Sequence, residues 1–158
     1  ATLIAMLLGL IADTHGYLGD DALAALAGVD HILHAGDVGE GVLSRLRKIA
    51  PLNAVRGNND TAGEAATLAE VELLDAAELR LVLVHRLRDA PSGGWDMLVF
   101  GHCHRQHAYR EGARWLFNPG AAGRRGFHAR RSVALLTVEE GSEPHCEFVD
   151  LGPRSVAH

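Results

Sequence analysis

Acidic, amide and imidazole side chains recur in this chain directly after short apolar runs. The segments are Asp13-Thr14-His15-Gly16, Gly36-Asp37, Gly57-Asn58-Asn59-Asp60, a lone His85, and Gly101-His102-Cys103-His104. Two carboxylates, one amide oxygen and four imidazoles suit divalent ions such as Mn, Fe, Zn or Ni, whereas structural zinc sites prefer thiolates. Seven ligands exceed the needs of one tetrahedral ion but suffice for two ions if one carboxylate bridges them. The candidate ligands are Asp13, His15, Asp37, Asn58, His85, His102 and His104.

Each segment alone has an ordinary explanation. A single Asp-x-His is most often a cap or turn, and Gly-Asp and Gly-Asn are common turn pairs. Gly-His-x-His is about as often a surface pair as a site. A site is favoured because such a segment follows each of several successive apolar runs. Alternating residues share one side only on an extended backbone, so the side chains of Asp13 and His15, and likewise of His102 and His104, would point to one side only if they lay on an extended strand end.

The elements that must position these residues alternate in type through the first half. Strands are predicted at 6–12, 31–35 and 52–55 and helices at 20–26 and 42–49, which indicates a parallel sheet with helices packed on it. Strands at 69–74, 79–84 and 97–100 follow, and then two hairpins, 107–110 with 114–117 and 132–138 with 146–151. We expect an α/β fold, a two-sheet αββα-type sandwich with mixed sheets. Sites in open α/β sheets form at the carboxyl ends of strands, where these side chains lie. Glycines at 16, 36, 57 and 101 would allow tight turns and close backbone approach there.

Composition narrows the setting of the site. The 158 residues contain no repeat, low-complexity tract or linker, which predicts a single domain over 1–158. A formal net charge of −5 argues against nucleic-acid and anionic-membrane partners, but not against a small phosphate ester, because bound ions would supply positive charge. Two cysteines form no disulfide framework, which favours a reducing, cytoplasmic location. The apolar opening is interpreted as a buried strand and not as a signal peptide.

Taken in order, the motifs resemble those of the calcineurin-like metallophosphoesterases. That family carries Asp-x-His, Gly-Asp, Gly-Asn-[His or Cys]-Asp, a lone His and Gly-His-x-His, and this chain matches the series from Asp13 to His104. Asn118-Pro119-Gly120 also resembles the closing loop of the family. The short length is similar to that of the compact prokaryotic phosphodiesterase branch.

The resemblance implies a role for each matching residue. One ion would be held by Asp13, His15 and His104, a second by Asn58, His85 and His102, and Asp37 would bridge them. The catalytic centre would comprise Asp37, Asn58, Asn59 and Asp60. A hydroxide bridging the ions would attack the phosphorus of a phosphate ester, most simply a phosphodiester. Manganese is the expected ion, with iron, zinc, nickel or magnesium as alternatives.

The chain departs from the family pattern at Asn59, where a histidine is common and the compact branch often has cysteine. An amide donates a hydrogen bond but cannot act as an acid near neutral pH, so we expect a preference for good leaving groups. Arg86 follows His85 where glycine is usual, and the stretch that leads on to His102 is short, as though a helix had been trimmed. Arg86 is either a phosphate contact or a solvated loop residue, and Arg124 and Arg125 are either phosphate contacts or part of a surface turn.

Other histidines and one cysteine lie outside the predicted ligand set. His34 either orients a ligand through a hydrogen bond or is a packed strand residue, and His128 is either a substrate contact or a surface residue. Cys103 is expected to point away from the site into packing. The remaining histidines, His31, His107, His145 and His158, are expected to be surface residues.

A binding or scaffold protein is the alternative function, because the compact branch is also similar to a eukaryotic retromer subunit that keeps the fold mainly for binding. Asn59 and the short loop favour this alternative, whereas the complete ligand set favours an enzyme. An exposed edge strand in the second half could support a homo-oligomer.

Overall fold

The structure is a computed structural model and describes residues 5–126 and 130–154. Two sheets of five strands form the molecule over these residues. The elements, in chain order, are β1 (Ala5–Ile11), α1 (Asp20–Leu26), β2 (His31–His34), α2 (Val42–Arg47), β3 (Leu52–Ala54), β4 (Val71–Ala76), β5 (Leu79–Val84), β6 (Met97–Val99), β7 (Gln106–Glu111), β8 (Arg114–Pro119), β9 (Arg130–Glu139) and β10 (His145–Pro153), with short 3-10 helices at Glu64–Thr67 and Leu87–Asp89.

Both sheets mix parallel and antiparallel pairs. The first sheet has the order β10-β9-β1-β2-β3, in which β1, β2 and β3 are parallel and β9 and β10 are antiparallel neighbours. The second has the order β4-β5-β6-β8-β7, with β5, β6 and β8 parallel. The predicted two-sheet α/β sandwich with mixed sheets and few helices is confirmed.

The main core lies between the two sheets. Leu8 and Leu10 of β1 face Leu81 and Leu83 of β5 and Phe117 of β8, and all five side chains are buried. Burying a leucine or phenylalanine stabilises a fold by about 1.5–3 kcal/mol, so this layer fixes the relative position of the sheets. The strand ends that carry the candidate ligands are therefore held against one another.

The two α-helices cover the outer face of the first sheet. Leu26 of α1 and Leu46 of α2 pack with Ile11 and Ile32 in a second buried cluster. Helix α2 ends at Arg47 and not at residue 49 as predicted, because the chain turns there to enter β3. No helix among the described residues is long and apolar enough to cross a membrane.

A loop covers the outer face of the second sheet. Val82, Val84 and Leu98 are buried beneath it, and Trp95 packs against them. The Trp95 indole donates to the Pro91 carbonyl at 2.7 Å, which fixes the ring. The loop at 85–96 contains one 3-10 turn, as its shortness suggested, and its apolar side chains take the place of a packed helix.

Candidate metal centre

The candidate ligands come together at one edge of the sandwich, although they follow strands of both sheets. Backbone hydrogen bonds join their loops directly. Asp13 N donates to Gly36 O at 3.0 Å and His15 N to Asp37 O at 2.9 Å, which ties the loop after β1 to the loop after β2. Gly101 N donates to His85 O at 3.0 Å, which ties together the loops after β5 and β6.

The backbone of these loops is left-handed at the ligands. The φ angles of Asp13, His15, Asp37, His102 and His104 are 54°, 46°, 55°, 72° and 63°. Asp13 and His15, and likewise His102 and His104, therefore do not lie on the extended strand ends that would turn alternate side chains to one side, because the bonds between loops turn the backbone. Such angles are unfavourable for non-glycine residues, by roughly 1–2 kcal/mol each, and typically mark functional sites.

Two of the predicted glycines are required by close approach. A Cβ at Gly36 would lie 2.6 Å from His85 Nδ1, and one at Gly57 would lie 2.2 Å from Asp37 N and from Asp37 Oδ1. Any side chain at these positions would displace a candidate ligand.

Asp13, His15 and His104 form one group whose ligand atoms lie within 4.8 Å of one another. The Nε2 atom of His104 is 3.5 Å from Asp13 Oδ1, and that of His15 is 3.7 Å from Asp37 Oδ2. Asp13, Asp37 and His85 form a second group by the same measure, and His85 Nε2 lies 3.4 Å from Asp37 Oδ2.

Asn58 joins the second group through its side-chain oxygen, which lies 2.8 Å from His85 Nε2 and 3.2 Å from His102 Nδ1. The other nitrogen of His85 lies 2.7 Å from Ala35 O. A carbonyl only accepts, so Nδ1 of His85 carries a proton. When this ring is neutral, Nε2 is free to bind a metal. A hydrogen bond from the other ring nitrogen commonly orients a histidine ligand in this way.

Burial and neighbouring charges shift the pKa values of Asp37 and His85. Burial raises the pKa of this carboxyl, but hydrogen bonds from His85 and the Asn59 N–H, with the charges of His85 and His15, outweigh burial and hold the pKa below its usual value. Burial lowers the pKa of His85, and the facing Asp37 and Asp13 carboxylates reverse the direction and leave it raised. Asp37 is thus a carboxylate at neutral pH.

The residues present fit a metal centre. Asp13 is fully buried, and its Oδ1 atom accepts no hydrogen bond from any described residue. An unsatisfied buried carboxylate oxygen is unfavourable, and a bound cation would satisfy it. The donors around it are the oxygen and imidazole nitrogen atoms that divalent ions such as Mn or Zn accept.

Asp60 lies beneath this group of ligands. Its carboxylate accepts from Val38 N at 2.9 Å, Gly39 N at 3.1 Å and Gly57 N at 2.9 Å. These bonds hold the loops after β2 and β3 together, so the carboxylate of Asp60 positions the loops that carry Asp37 and Asn58.

The site opens into a pocket of 590 Å³. Arg125 lines this pocket, and Arg86 lines an adjoining recess of 180 Å³ with Asn58 and His85. Burial lowers the pKa of His102, and the charges of His85 and Arg86 lower it further. Arg124 lies elsewhere, with its guanidinium 4.2 Å from the Tyr17 ring centroid.

The Asn118 side chain fixes the closing loop against the His102–His104 segment. It is fully buried and donates to Gly101 O at 3.1 Å and to Cys103 Sγ at 3.3 Å, while Gly120 N donates to its Oδ1 at 2.9 Å. Cys103 packs against the apolar cluster of the second sheet, as predicted.

The remaining histidines differ in burial. His34 is fully buried and contacts Thr14, a residue that the sequence analysis did not single out and that no sequence signal distinguishes. His31 and His107 are half-buried against Asn53 and Phe100, and His145 is exposed. His128 and His158 lie outside the described residues.

Fold and site together define a two-sheet α/β sandwich with an aspartate–histidine pocket at the ends of its strands. The chain belongs to the calcineurin-like phosphoesterase superfamily, whose domain model matches residues 6–141. No curated protein matches the chain.

Solved structures share the fold. An archaeal phosphodiesterase has a TM-score of 0.77 and 20% identity, over 92% of this chain and 100% of that one. YfcE, a phosphoesterase from E. coli, has a TM-score of 0.63 and 27% identity, over 83% and 91% of the two chains. Vps29 from Entamoeba histolytica complexed with zinc has a TM-score of 0.71 and 23% identity, over 92% and 99%.

Proposed function

We propose that this protein is a metal-dependent phosphodiesterase that acts on a small phosphate ester with two divalent ions. One observation carries the proposal: loops after four strands bring carboxylates and imidazoles together in two groups whose ligand atoms lie within 4.8 Å of one another, and one carboxylate oxygen there, Asp13 Oδ1, accepts no hydrogen bond from any described residue. Membership of the phosphoesterase superfamily supports the reaction class. The archaeal phosphodiesterase that shares the fold supports a diester over a monoester.

Two groups of residues would hold the ions. Asp13, His15 and His104 would hold the first, Asn58, His85 and His102 the second, and Asp37 lies between the groups. Two such ions lower the pKa of a bound water and neutralise charge on phosphoryl oxygens. Manganese is our proposed ion, with iron, zinc, nickel or magnesium as alternatives. Zinc has been bound to Vps29 of E. histolytica, which shares the fold.

The side chains around the ions determine which esters react. Asn59 can donate a hydrogen bond to a phosphoryl oxygen but cannot protonate a leaving group near neutral pH, so the substrate must bring a good leaving group. Arg125 lines the pocket and forms no ion pair with a described residue, which leaves its guanidinium available for a phosphate. The net charge of −5 supports a small substrate and not a nucleic acid. We propose a cytoplasmic location on the same grounds as above.

A catalytically weak binding or scaffold protein is the second candidate. Its support is Asn59, which replaces the acid of many relatives, and the thin loop over the second sheet. Several Vps29 proteins share the fold at similar length. Asn59 and the loop would lower the rate of catalysis but would not remove a metal ligand. Because the ligand set is complete, we favour the enzyme.

One assay separates the two candidates. Protein stripped of metal and reloaded with manganese is tested on bis-p-nitrophenyl phosphate beside an Asp37→Ala variant whose fold is checked by circular dichroism. The enzyme predicts turnover by the parent and none by the variant. Equal background rates in both proteins would favour the scaffold.

A further inference from the structure

His34 lies at the end of β2, fully buried and three residues before Asp37. We propose that His34 and Thr14 form a hydrogen-bonded clamp that positions the metal ligands Asp13, His15 and Asp37. The inference rests on the proposed metal centre but not on the proposed hydrolysis.

The donor and the acceptor of each hydrogen bond in the clamp follow from the backbone groups at its two ends, Gly36 N and Val38 O. Gly36 N donates to His34 Nδ1 at 3.1 Å, so Nδ1 carries no proton and the neutral ring is protonated at Nε2. Nε2 therefore donates to Thr14 Oγ1 at 2.9 Å, and the hydroxyl donates in turn to Val38 O at 2.7 Å. Each donor meets one acceptor, and the chain of bonds is complete without solvent.

The clamp contacts the backbone on both sides of the ligands. Thr14 stands between Asp13 and His15, and Gly36 and Val38 flank Asp37. All three ligands have left-handed backbone angles, which nearby bonds must maintain. A rigid clamp at these points keeps the two carboxylates and His15 in place before a metal arrives, which lowers the cost of binding.

His34 is thereby a positioning residue and not a fifth imidazole ligand. Both ring nitrogens are engaged, one as acceptor and one as donor, and His34 is not among the residues that line the pocket. A proton relay through this ring would also require Nδ1 to release its bond from Gly36.

The test compares metal binding by Thr14→Val and Thr14→Ser. Valine keeps the shape of threonine but removes the hydroxyl, whereas serine keeps the hydroxyl. Titration calorimetry of the metal-free proteins with Mn²⁺, and the visible absorption of the Co²⁺ forms, report affinity and ligand geometry without any substrate. We expect Thr14→Val to lose about 10- to 100-fold in affinity and to change the Co²⁺ spectrum, and Thr14→Ser to restore both.

Two further variants keep the test decisive. Thr67→Val removes a hydroxyl that also donates to a backbone carbonyl, Glu64 O at 2.6 Å, in an exposed turn that carries no candidate ligand, and should bind Mn²⁺ as the parent does. His34→Gln can still donate to Thr14 but offers no acceptor placed for Gly36, and should also bind Mn²⁺ more weakly. If Thr14→Val does not fold, His34→Gln decides the question in its place.

Parental affinity and an unchanged Co²⁺ spectrum in folded Thr14→Val, or in folded His34→Gln, would overturn the clamp. Failure of Thr14→Ser to restore binding would do the same. Absence of turnover in the parent would contradict only the proposed function, since these readouts need no reaction.

Discussion

Asn59 donates two hydrogen bonds to Asp37, from its backbone N to Oδ1 at 2.8 Å and from its side-chain Nδ2 to Oδ2 at 3.0 Å. The residue that replaces an acid in the motif thus orients the carboxylate proposed to lie between two ions. The backbone hydrogen bond from Asn59 helps keep the Asp37 carboxyl ionised. Because an amide cannot act as an acid near neutral pH, the side chain at position 59 cannot protonate the leaving group.

Asn59→His should restore protonation of the leaving group. General acid catalysis typically contributes 10²–10⁴-fold, so we expect about 100-fold or more on esters with alkyl leaving groups and little change on p-nitrophenyl esters. Steady-state rates across a series of leaving groups measure the effect, and Asn59→Gln is the control because it keeps an amide. Equal rates for good and poor leaving groups in the parent would refute the premise.

Arg125→Gln should weaken the binding of phosphate esters. Hydrogen bonds to charged groups contribute about 1.5–3 kcal/mol, so kcat/KM for bis-p-nitrophenyl phosphate should fall about 10- to 100-fold. Arg124→Gln is the matched control, because Arg124 stacks on Tyr17 and lies outside the pocket lining. Similar losses in both variants would contradict the assignment of Arg125.

Asp60→Asn should destabilise the fold. The carboxylate accepts from three backbone N–H groups, and an amide offers one oxygen while placing a donor against the rest. We expect the free energy of unfolding in urea to fall by about 1–3 kcal/mol. Asp30→Asn is the comparison, since Asp30 is exposed and accepts one bond, from Leu7 N at 2.7 Å. Equal losses would show that the three bonds do not act together.

Acid should weaken the metal-free protein through His34. Burial lowers the pKa of this ring from 6.5 to about 4, although the carboxylates of Asp13, Asp60 and Asp37 oppose the shift. Between these pH values the unfolded chain binds a proton that the folded chain does not. The contribution to stability is complete above pH 6.5 and is lost as pH falls toward 4, by up to about 1.4 kcal/mol per pH unit.

Urea unfolding of the metal-free parent and of His34→Gln at pH 7 and pH 5 measures this contribution. The difference in free energy of unfolding between the two proteins should narrow at the lower pH, because the variant lacks the titrating ring. A constant difference would mean that His34 does not titrate as its burial requires.

The sequence predicts the residue types of the site and their location at strand ends, because apolar runs and the polar residues that follow them are local signals. It also predicts the close packing at Gly36 and Gly57. The left-handed turns at Asp13 and His15 could not be predicted, since their bonds come from Gly36 and Asp37, more than 20 residues away. The roles of Thr14 and Asp60 depend on the same non-local contacts.

Some elements carry no periodic signal at all. The loop at 85–96 covers the second sheet with scattered side chains such as Trp95, and no helical or alternating pattern in the sequence predicts this packing. Arg125 and Arg124 are neighbours in sequence, yet only one lines the pocket, because the turn at this point separates their side chains.

The most direct test of a two-metal phosphodiesterase is a titration of metal-free protein with manganese, in which bound ions and turnover of bis-p-nitrophenyl phosphate are measured on the same samples. We predict two ions bound per chain and hydrolysis that rises as the second ion binds. Two bound ions without hydrolysis would contradict the phosphodiesterase and favour the scaffold, and failure to bind a second ion would contradict the metal centre itself.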